Sequence, residues 1–309
     1  LAYEGESIYN YLQVKNLSDR TILSTNVLFG VQSVTMKDKG LTGMYYDTAL
    51  AAPALADNAN SALILGMGTG TYARQLKQYY PKMNITGVEI DQKITDLAGE
   101  YFDEPADIPV TTYDGRAWLA ASHDKYDVIM VDAYQDITIP FQMSSTEFFT
   151  MVREHLNPGG VMVVNMNMIS DGQGSINEAL SDTIASVFGN GNTLTADVPN
   201  TTNRELFAKK PGSGSEENSM QQASKALNLR ETTYERTGSE DLEWYMEEVA
   251  SRFRKVNEPD SASTILTDDK APVEVLGMHA IDQIIADEAG PYRQILKDEG
   301  FGGLLRAVQ

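Results

Sequence analysis

A glycine-rich turn between two apolar stretches is the part of the sequence best suited to bind a ligand. The stretch at residues 62–65 (ALIL) runs into Gly66, Gly68 and Gly70, and a second apolar stretch ends at Glu89, 23 positions after Gly66. Glycines allow a tight turn and a close approach of the backbone to a ligand, and a helix that follows presents unpaired N–H groups. A carboxylate at the tip of the second strand can accept hydrogen bonds from ribose hydroxyls. The unit therefore predicts a site for a nucleoside-containing ligand.

The spacing of these glycines narrows the class of nucleoside. It is GxGxG, with Thr71 where the dinucleotide fingerprint GxGxxG has the third glycine that lets the helix pack closely on the strand. No Gly-Lys-Ser/Thr follows, so the phosphate-binding P-loop pattern is absent as well. GxGxG with a downstream glutamate is typical of S-adenosyl cofactors. The alternative is a tight strand-to-helix turn that binds no ligand.

Further aspartates lie where the predicted strands end, which is where open α/β sheets bind their ligands. These aspartates are Asp91, Asp114, Asp132 and Asp136. Asp91 lies two positions beyond Glu89 and belongs to the predicted nucleoside site. Asp114 either caps the helix that follows it or accepts a hydrogen bond from an adenine amine. Asp132 follows a buried strand and either forms a turn or lies at the mouth of the cleft.

The composition excludes several kinds of site. The chain has 309 residues, 42% of them hydrophobic, which is enough for one large core and a small appended unit. The absence of cysteine rules out disulfides, thiolate metal ligands and a cysteine nucleophile. The histidines lie far apart without metal-ligand spacing, so we expect no metal. The net charge of −20 opposes nucleic-acid binding and favours a small cationic partner, although it also serves solubility.

The apolar stretches are short. None reaches the roughly 18 residues that a membrane span requires, and no signal peptide is visible. We therefore expect a cytoplasmic chain. Because it begins at Leu1 and not at methionine, we also expect it to be a piece of a longer protein, for example the cytosolic domain of a membrane-attached one.

The order of the predicted elements changes near residue 55. Residues 1–55 contain short β-rich stretches broken by turn residues, which predict a small antiparallel β unit. From residue 56 to residue 309 strands and helices alternate, which predicts a parallel sheet with helices on both faces. The predicted strands of this second part are 62–65, 85–90, 110–113, 126–131 and 160–165, with a late edge strand at 205–208. The predicted helices include 72–80, 92–102, 181–188, 240–253 and 280–297.

The order of the motifs resembles the polyamine aminopropyltransferases, the family of the spermidine and spermine synthases. It is most similar to the bacterial spermidine-synthase-like domains that are often attached to membrane segments. The motifs that carry the resemblance are FGVQS at 29–33, YDTALAAP at 46–53, VEID at 88–91, YDGRA at 113–117, DVIMVDAY at 127–134 and LTDDKAPVE at 266–274. Their joint order is more specific than any one of them.

The resemblance implies a Rossmann-like, methyltransferase-type sheet of seven strands behind the N-terminal β unit, in a homodimer. It implies transfer of an aminopropyl group from decarboxylated S-adenosylmethionine to a polyamine or related amine. It implies that the nucleoside is bound by Gln32, Asp114 and Glu89, and that Glu89 contacts the ribose. It implies Asp132 as the general base that takes the proton of the attacking amine. The residues that it implies on the acceptor amine are Tyr46, Tyr134 and Asp136.

Several positions depart from the family's pattern, all on the side of the transferred group or the acceptor. The family's glycine turn is GGGDG, and Thr69 stands in place of its aspartate. The customary Tyr-His-Glu is Tyr-Asp-Thr at 46–48, and Asp136 lies one position later than the family's second carboxylate. Two alternatives therefore stay open: a methyltransferase that uses S-adenosylmethionine on a small molecule, and a polyamine- or nucleoside-binding domain without turnover.

Overall fold

The computed structural model of the protein describes residues 1–26, 31–38, 40–103, 105–133, 139–166, 174–199, 201, 203–212, 219–261 and 263–278. The helix predicted at 280–297 lies outside these ranges. The acceptor residues Tyr134 and Asp136 implied by the resemblance also lie outside them.

The described residues form strands and helices that are numbered in chain order. The strands are β1 (Tyr3–Glu6), β2 (Tyr11–Asn16), β3 (Arg20–Thr25), β4 (Ser33–Met36), β5 (Ser61–Leu65), β6 (Asn84–Glu89), β7 (Val110–Thr112), β8 (Tyr126–Val131), β9 (Leu156–Met166), β10 (Thr193–Asp197), β11 (Arg204–Lys209) and β12 (Phe253–Lys255). The helices are α1 (Tyr45–Ala49), α2 (Ala51–Leu55), α3 (Thr71–Tyr79), α4 (Gln92–Tyr101), α5 (Gly115–Ala121), α6 (Thr146–His155), α7 (Ile176–Phe188), α8 (Ser219–Ala223), α9 (Ala226–Thr237) and α10 (Glu240–Arg252).

The N-terminal strands form an antiparallel sheet of their own. Strands β1 to β4 pair in sequence order. Side chains alternate along β2, so that Leu12 and Val14 are fully buried between partly exposed neighbours. These two side chains pack with Leu97 of α4 and with Phe102 just beyond it, which attaches the small sheet to a helix of the larger one. The predicted antiparallel unit is confirmed.

A second sheet, of eight strands, lies at the centre of the fold in the order β12-β10-β11-β9-β8-β5-β6-β7. Strands β7, β6, β5, β8 and β9 are parallel, and β11, β10 and β12 continue the sheet antiparallel. Along β5, Ala62 and Ile64 belong to one buried cluster while Leu63 and Leu65 belong to another on the opposite face. The predicted Rossmann-like, methyltransferase-type class is confirmed, and the short strand β12 adds an eighth strand to the seven expected.

Two local features differ from the sequence predictions. Residues 205–208, predicted at an edge of the sheet, lie in β11 between β9 and β10, so this prediction is wrong. The true edge is β12, a strand of three residues that is too short to show a sequence pattern. The sequence also does not predict α1 and α2, whose alanines pack in the core of the large sheet. The domain boundary at residue 55 stays a prediction.

The described helices are short. The longest of them, α7 and α10, have 13 residues each. None of the helices in the described ranges is long and apolar enough to cross a membrane. The same ranges contain no group of histidine, cysteine, aspartate or glutamate side chains that could hold a metal ion.

Candidate functional site

Two acidic residues lie on either side of one glycine at the carboxyl end of the large sheet. Strand β5 pairs with β6 through Leu65 and Val88, and with β8 through Leu65 and Val131. Strand β8 in turn pairs with β9 through Val131 and Val164. The next positions along these four strands are Glu89, Gly66, Asp132 and Asn165. The residue predicted for the ribose and the residue predicted as the base are therefore neighbours across Gly66, at the edge where such sheets bind ligands.

An open cavity lies at this row of residues. Tyr9, Asn10 and Leu23 from the N-terminal sheet line one side of it. The predicted site residues that line it are Gln32, Tyr46, Gly66, Gly68, Glu89, Asp114 and Asp132. Gly70 and Asp91 are not among its lining residues. The structure thus brings most of the predicted nucleoside residues and the predicted base to one cavity.

The glycine turn needs its glycines for space and for backbone conformation. Gly66 has a φ of +89°, and a Cβ atom there would lie 2.4 Å from the carbonyl oxygen of Asp132. Gly70 has a φ of +79° and directly precedes α3. The chain can therefore turn from β5 into α3 only with residues that tolerate the left-handed region.

Replacement of Gly66 by alanine is expected to lower the free energy of unfolding by about 1–3 kcal/mol, because the new Cβ meets backbone and the φ is positive. The matched control is Gly99→Ala in α4, where an added Cβ meets open space. This control is expected to raise the free energy of unfolding by about 0.5–1 kcal/mol. Chemical denaturation measures both values, and equal stability of the two variants would contradict the geometry of the turn.

The carboxylate of Glu89 is held by two backbone N–H groups. Gly68 donates to Oε2 at 2.8 Å, and Asp91 donates to Oε1 at 3.0 Å. Burial raises the pKa of Glu89 above its ordinary value, and these two N–H groups act in the opposite direction. Each carboxylate oxygen has a further lone pair. Glu89 is therefore fixed in position and can still accept hydrogen bonds from a ligand in the cavity.

Asp91 connects the end of β6 to the N-terminal sheet. Its Oδ1 accepts the N–H of Lys93 at 3.0 Å and so caps α4. Its Oδ2 accepts hydrogen bonds from Ser7 Oγ at 2.5 Å and from Asn10 Nδ2 at 3.0 Å. Both oxygens are thus engaged within the protein, and the contact of Asp91 with a nucleoside stays a prediction.

Asp114 has the first of the two roles that the sequence leaves open, the helix cap, and the second, a contact with adenine, stays a prediction. Its Oδ1 accepts the N–H of Ala117 at 2.7 Å, which caps α5. The same residue lines the cavity. Because the cap uses one carboxylate oxygen, the other can accept a hydrogen bond from a ligand.

Thr69 occupies the middle of the glycine turn and is fully buried. Its N–H donates to Ser33 Oγ at 3.3 Å. Its own Oγ1 has no hydrogen-bond partner among the described residues. The negative charge that the family carries at this position is therefore absent from the turn.

Asp132 is held between two donors from other parts of the chain. Tyr45 donates its hydroxyl to Oδ2 at 2.6 Å, and Asn165 Nδ2 donates to Oδ1 at 3.0 Å. The pKa of Asp132 is raised to about 7: burial raises it most, the two hydrogen bonds lower it, and the charge of Glu89 raises it. A carboxylate with a pKa near neutrality can take a proton from a bound ligand and release it to water.

Two adjacent tyrosines begin α1 and line the cavity. Their ring centroids are 4.0 Å apart. The hydroxyl of Tyr46 donates to the backbone carbonyl of Gln32 at 2.7 Å, whereas Tyr45 is the one that contacts Asp132. Tyr46 therefore holds the segment of Gln32 at the cavity, and its predicted contact with an acceptor amine stays a prediction.

Asp47 holds the start of α1 in place through hydrogen bonds to the preceding loop and to α3. Its carboxylate is buried and accepts the backbone N–H groups of Thr42 at 2.9 Å and Gly43 at 2.7 Å. The side-chain amide of Gln75 in α3 also donates to it. These bonds position the two tyrosines of α1 against the cavity.

Sequence reasoning misses two residues of this site, Tyr45 and Asn165. Asn165 follows the apolar run 161–164 near the end of β9, so the rule that identifies Asp132 could also have identified it. Tyr45 lies in a helix that the sequence does not predict, and no local signal distinguishes it from Tyr46.

The fold is shared with solved structures of low sequence identity. A probable spermidine synthase from Corynebacterium glutamicum has a TM-score of 0.59 and 21% identity, and the match covers 86% of this chain and 98% of that one. A spermidine synthase in complex with the transition-state analogue AdoDATO has a TM-score of 0.55 and 18% identity, over 69% of this chain and 74% of that one. These likenesses define the class of fold: a Rossmann-like sheet behind a small β unit.

The family follows from the sequence comparison. The model of the spermine/spermidine synthase domain matches residues 44–210, which is more than half of the chain, so the chain belongs to that family. One relative, the polyamine aminopropyltransferase of Corynebacterium efficiens, is 37% identical over 131 residues, or 38% of this chain and 25% of the relative. This chain spans 25%, 49% and 65% of the lengths of three curated relatives that it matches. The resemblance to the polyamine aminopropyltransferase family is confirmed.

Proposed function

We propose that the protein transfers an aminopropyl group from decarboxylated S-adenosylmethionine to a polyamine or a related amine. The observation that carries this proposal is the pair of carboxylates on either side of Gly66. Glu89 is held there by backbone donors, and Asp132 has two side-chain donors and a pKa of about 7. Family membership and relatives named polyamine aminopropyltransferase support the same reaction.

In this proposal the nucleoside occupies the side of the cavity nearest the glycine turn. Glu89 accepts hydrogen bonds from the ribose hydroxyls, and Asp114 accepts one from the adenine amine. Gln32 contacts the same nucleoside. These three residues line one cavity, and both carboxylates have acceptor capacity beyond their bonds within the protein.

The acceptor reacts on the Asp132 side of the cavity. The amine arrives as an ammonium ion and gives a proton to Asp132, which frees its lone pair. The nitrogen attacks the carbon next to the sulfonium sulfur, so a C–N bond forms while the C–S bond breaks. The sulfur keeps the electron pair, and methylthioadenosine leaves as a neutral thioether. Tyr45 and Asn165 hold the carboxylate in one orientation, which lowers the entropic part of the barrier.

The acceptor is a small cation in this proposal. A net charge of −20 attracts cations toward the protein. Tyr46, Tyr134 and Asp136 belong to its contacts, as the resemblance implies. We also infer a homodimer, because the family is usually dimeric. We place it in the cytoplasm as the cytosolic domain of a membrane-attached protein, because the bacterial domains that it resembles are often attached to membrane segments.

Mass spectrometry of the products tests the reaction. The chain is incubated with a polyamine mixture and decarboxylated S-adenosylmethionine, and in parallel with S-adenosylmethionine. The expected products are methylthioadenosine and a lengthened polyamine. S-adenosylhomocysteine in the parallel reaction would instead indicate a methyltransferase. Binding of methylthioadenosine without any product would indicate a binding domain.

Replacement of Glu89 by glutamine is expected to weaken methylthioadenosine binding by about 10- to 100-fold, because a hydrogen bond to a charged acceptor contributes about 1.5–3 kcal/mol. Glutamine keeps the shape of the side chain but only one acceptor oxygen. Isothermal titration calorimetry measures the affinity. Glu100→Gln, an exposed position on α4, serves as the control with the same change of charge. Unchanged affinity in Glu89→Gln would exclude Glu89 from the ribose site.

A further inference from the structure

Glu205 in β11 carries a buried carboxyl group for which the proposed reaction has no use. Its side chain is fully buried, and neither Oε1 nor Oε2 has a hydrogen-bond partner among the described residues. The cationic side chains of the same strand pair elsewhere, Arg204 with Asp197 and Lys209 with Asp57. Burial of a polar group without a partner is costly, and such groups are rare. The unpaired carboxyl group of Glu205 therefore indicates a role in binding.

Glu205 belongs to the same row of residues as Asp132. Asn165 lies opposite Glu205 in the pairing of β9 with β11, and its side chain donates to Asp132. Directly paired residues of neighbouring strands present their side chains on one face of the sheet. Since neighbouring strands are about 4.8 Å apart, the Cα atoms of Asp132 and Glu205 are separated by roughly 10 Å.

The ionisation of Glu205 depends on whether a cation is bound beside it. Burial raises the pKa of Glu205 well above its ordinary value, and the charge of Asp132 raises it further. Both effects favour the neutral form of Glu205, which adds no second negative charge beside Asp132. A cation close to Glu205 would favour its ionised form. The position is thus suited to a carboxylate that forms when an ammonium group is present.

We propose that Glu205 binds the second ammonium group of a diamine whose first amine reacts at Asp132. This inference deepens the proposed function and rests on it. On binding, Glu205 releases its proton to water, and the carboxylate accepts hydrogen bonds from the ammonium group. The lining of the described cavity includes Asp132 and Tyr45 but not Glu205. The proposal therefore requires that side chains between the cavity and Glu205 move when the diamine enters. Diamines and longer polyamines are then favoured over monoamines of the same chain length.

Steady-state kinetics of Glu205→Gln with putrescine and with butylamine test the proposal. These acceptors have the same carbon chain and differ in the second amine. The KM for putrescine is expected to rise by about tenfold or more, because a charge-assisted hydrogen bond is lost, while the KM for butylamine stays unchanged. Glutamine has the shape of the neutral carboxyl group, so a purely structural role would leave both values as they are. Glu154→Gln, exposed on α6, is the control.

A second variant is needed in case the Glu205→Gln protein does not fold, because position 205 is buried. Glu205→Leu removes the polar group without leaving an unpaired donor or acceptor. It is expected to melt at a temperature no lower than that of the unmodified protein, because an unpaired buried polar group is replaced by an apolar one. The same loss of preference for putrescine over butylamine is expected.

Calorimetric titration with putrescine, in the presence of methylthioadenosine, separates this inference from the proposed reaction. If the unmodified protein forms no product with any amine, the reaction proposal fails. Weaker binding of putrescine, but not of butylamine, to the Glu205 variants would still support the diamine site. If the binding of putrescine is unchanged in both Glu205 variants, Glu205 does not belong to the acceptor site, whatever the activity.

Discussion

Replacement of Asp132 by asparagine is expected to lower kcat by about 100- to 10,000-fold, because this carboxylate takes the proton of the amine in the proposed reaction. Asparagine does not accept a proton at neutral pH, but its side chain has the same shape and can still accept the hydrogen bond from Tyr45. Nucleoside binding depends on Glu89 and Asp114, so the affinity for methylthioadenosine should stay within a few-fold.

Product formation by mass spectrometry and titration with methylthioadenosine measure these two quantities separately. Asp124→Asn is the matched control, since Asp124 is exposed just before β8 begins, whereas Asp132 follows its other end. This control removes the same charge and should keep the full kcat. Full activity of Asp132→Asn would contradict the role of the base. Loss of folding or of nucleoside binding in that variant would show that Asp132 acts on the structure instead.

The large sheet could be predicted because its strands are apolar on both faces. The clearest case is β8, all of whose residues are buried and whose bounds coincide with the predicted strand at 126–131. A parallel strand covered by helices on both sides gives a continuous hydrophobic run, which is visible without knowledge of its neighbours. The glycine turn that follows β5 is equally local, because its backbone conformation depends on the glycines themselves.

Features of the sheets that depend on which strands pair with one another could not be predicted. Strand β1 (YEGE) shows no alternation of apolar and polar residues, since its tyrosine is its single apolar residue. It is a strand because it pairs with β2. The inner position of β11 depends on its pairing with β10 on one side and with β9 on the other. Strand propensity reflects packing against such neighbours more than local preference. The sequence therefore predicts a strand at 205–208 but not its place in the sheet.

The candidate site divides in the same way. Glu89 and Asp132 could be predicted because each lies at the end of an apolar strand, where ligands bind. The groups that control Asp132 come from remote segments: Tyr45 is 87 positions away and Asn165 is 33 positions away. Local sequence identifies which acid ends a strand. The hydrogen-bond partners of Asp132 depend instead on the positions of α1 and β9 in the fold.

The pH dependence of turnover is expected to follow the ionisation of Asp132. Its pKa of about 7 is well above the ordinary value of 3.8, chiefly because of burial. The base acts in its ionised form, and lowering the pH protonates it. The value of kcat/KM should therefore fall about tenfold for each pH unit below the pKa and level off above it. A profile that stays flat through neutral pH would contradict the assignment of the base.

Replacement of Tyr45 by phenylalanine is expected to move this acidic limb to higher pH by about one unit, because the variant lacks a hydrogen bond that lowers the pKa of Asp132. The ring still packs against Tyr46, so the fold should be retained. Profiles of kcat/KM across the neutral range measure the shift, with Tyr234→Phe, exposed on α9, as the control. Above the new pKa the value should again become independent of pH, at a level lowered only by the loss of one of the two hydrogen bonds that orient the carboxylate. A plateau at higher pH distinguishes a changed pKa from the loss of the base. If the limb does not move, the titrating group is not the carboxylate that Tyr45 contacts.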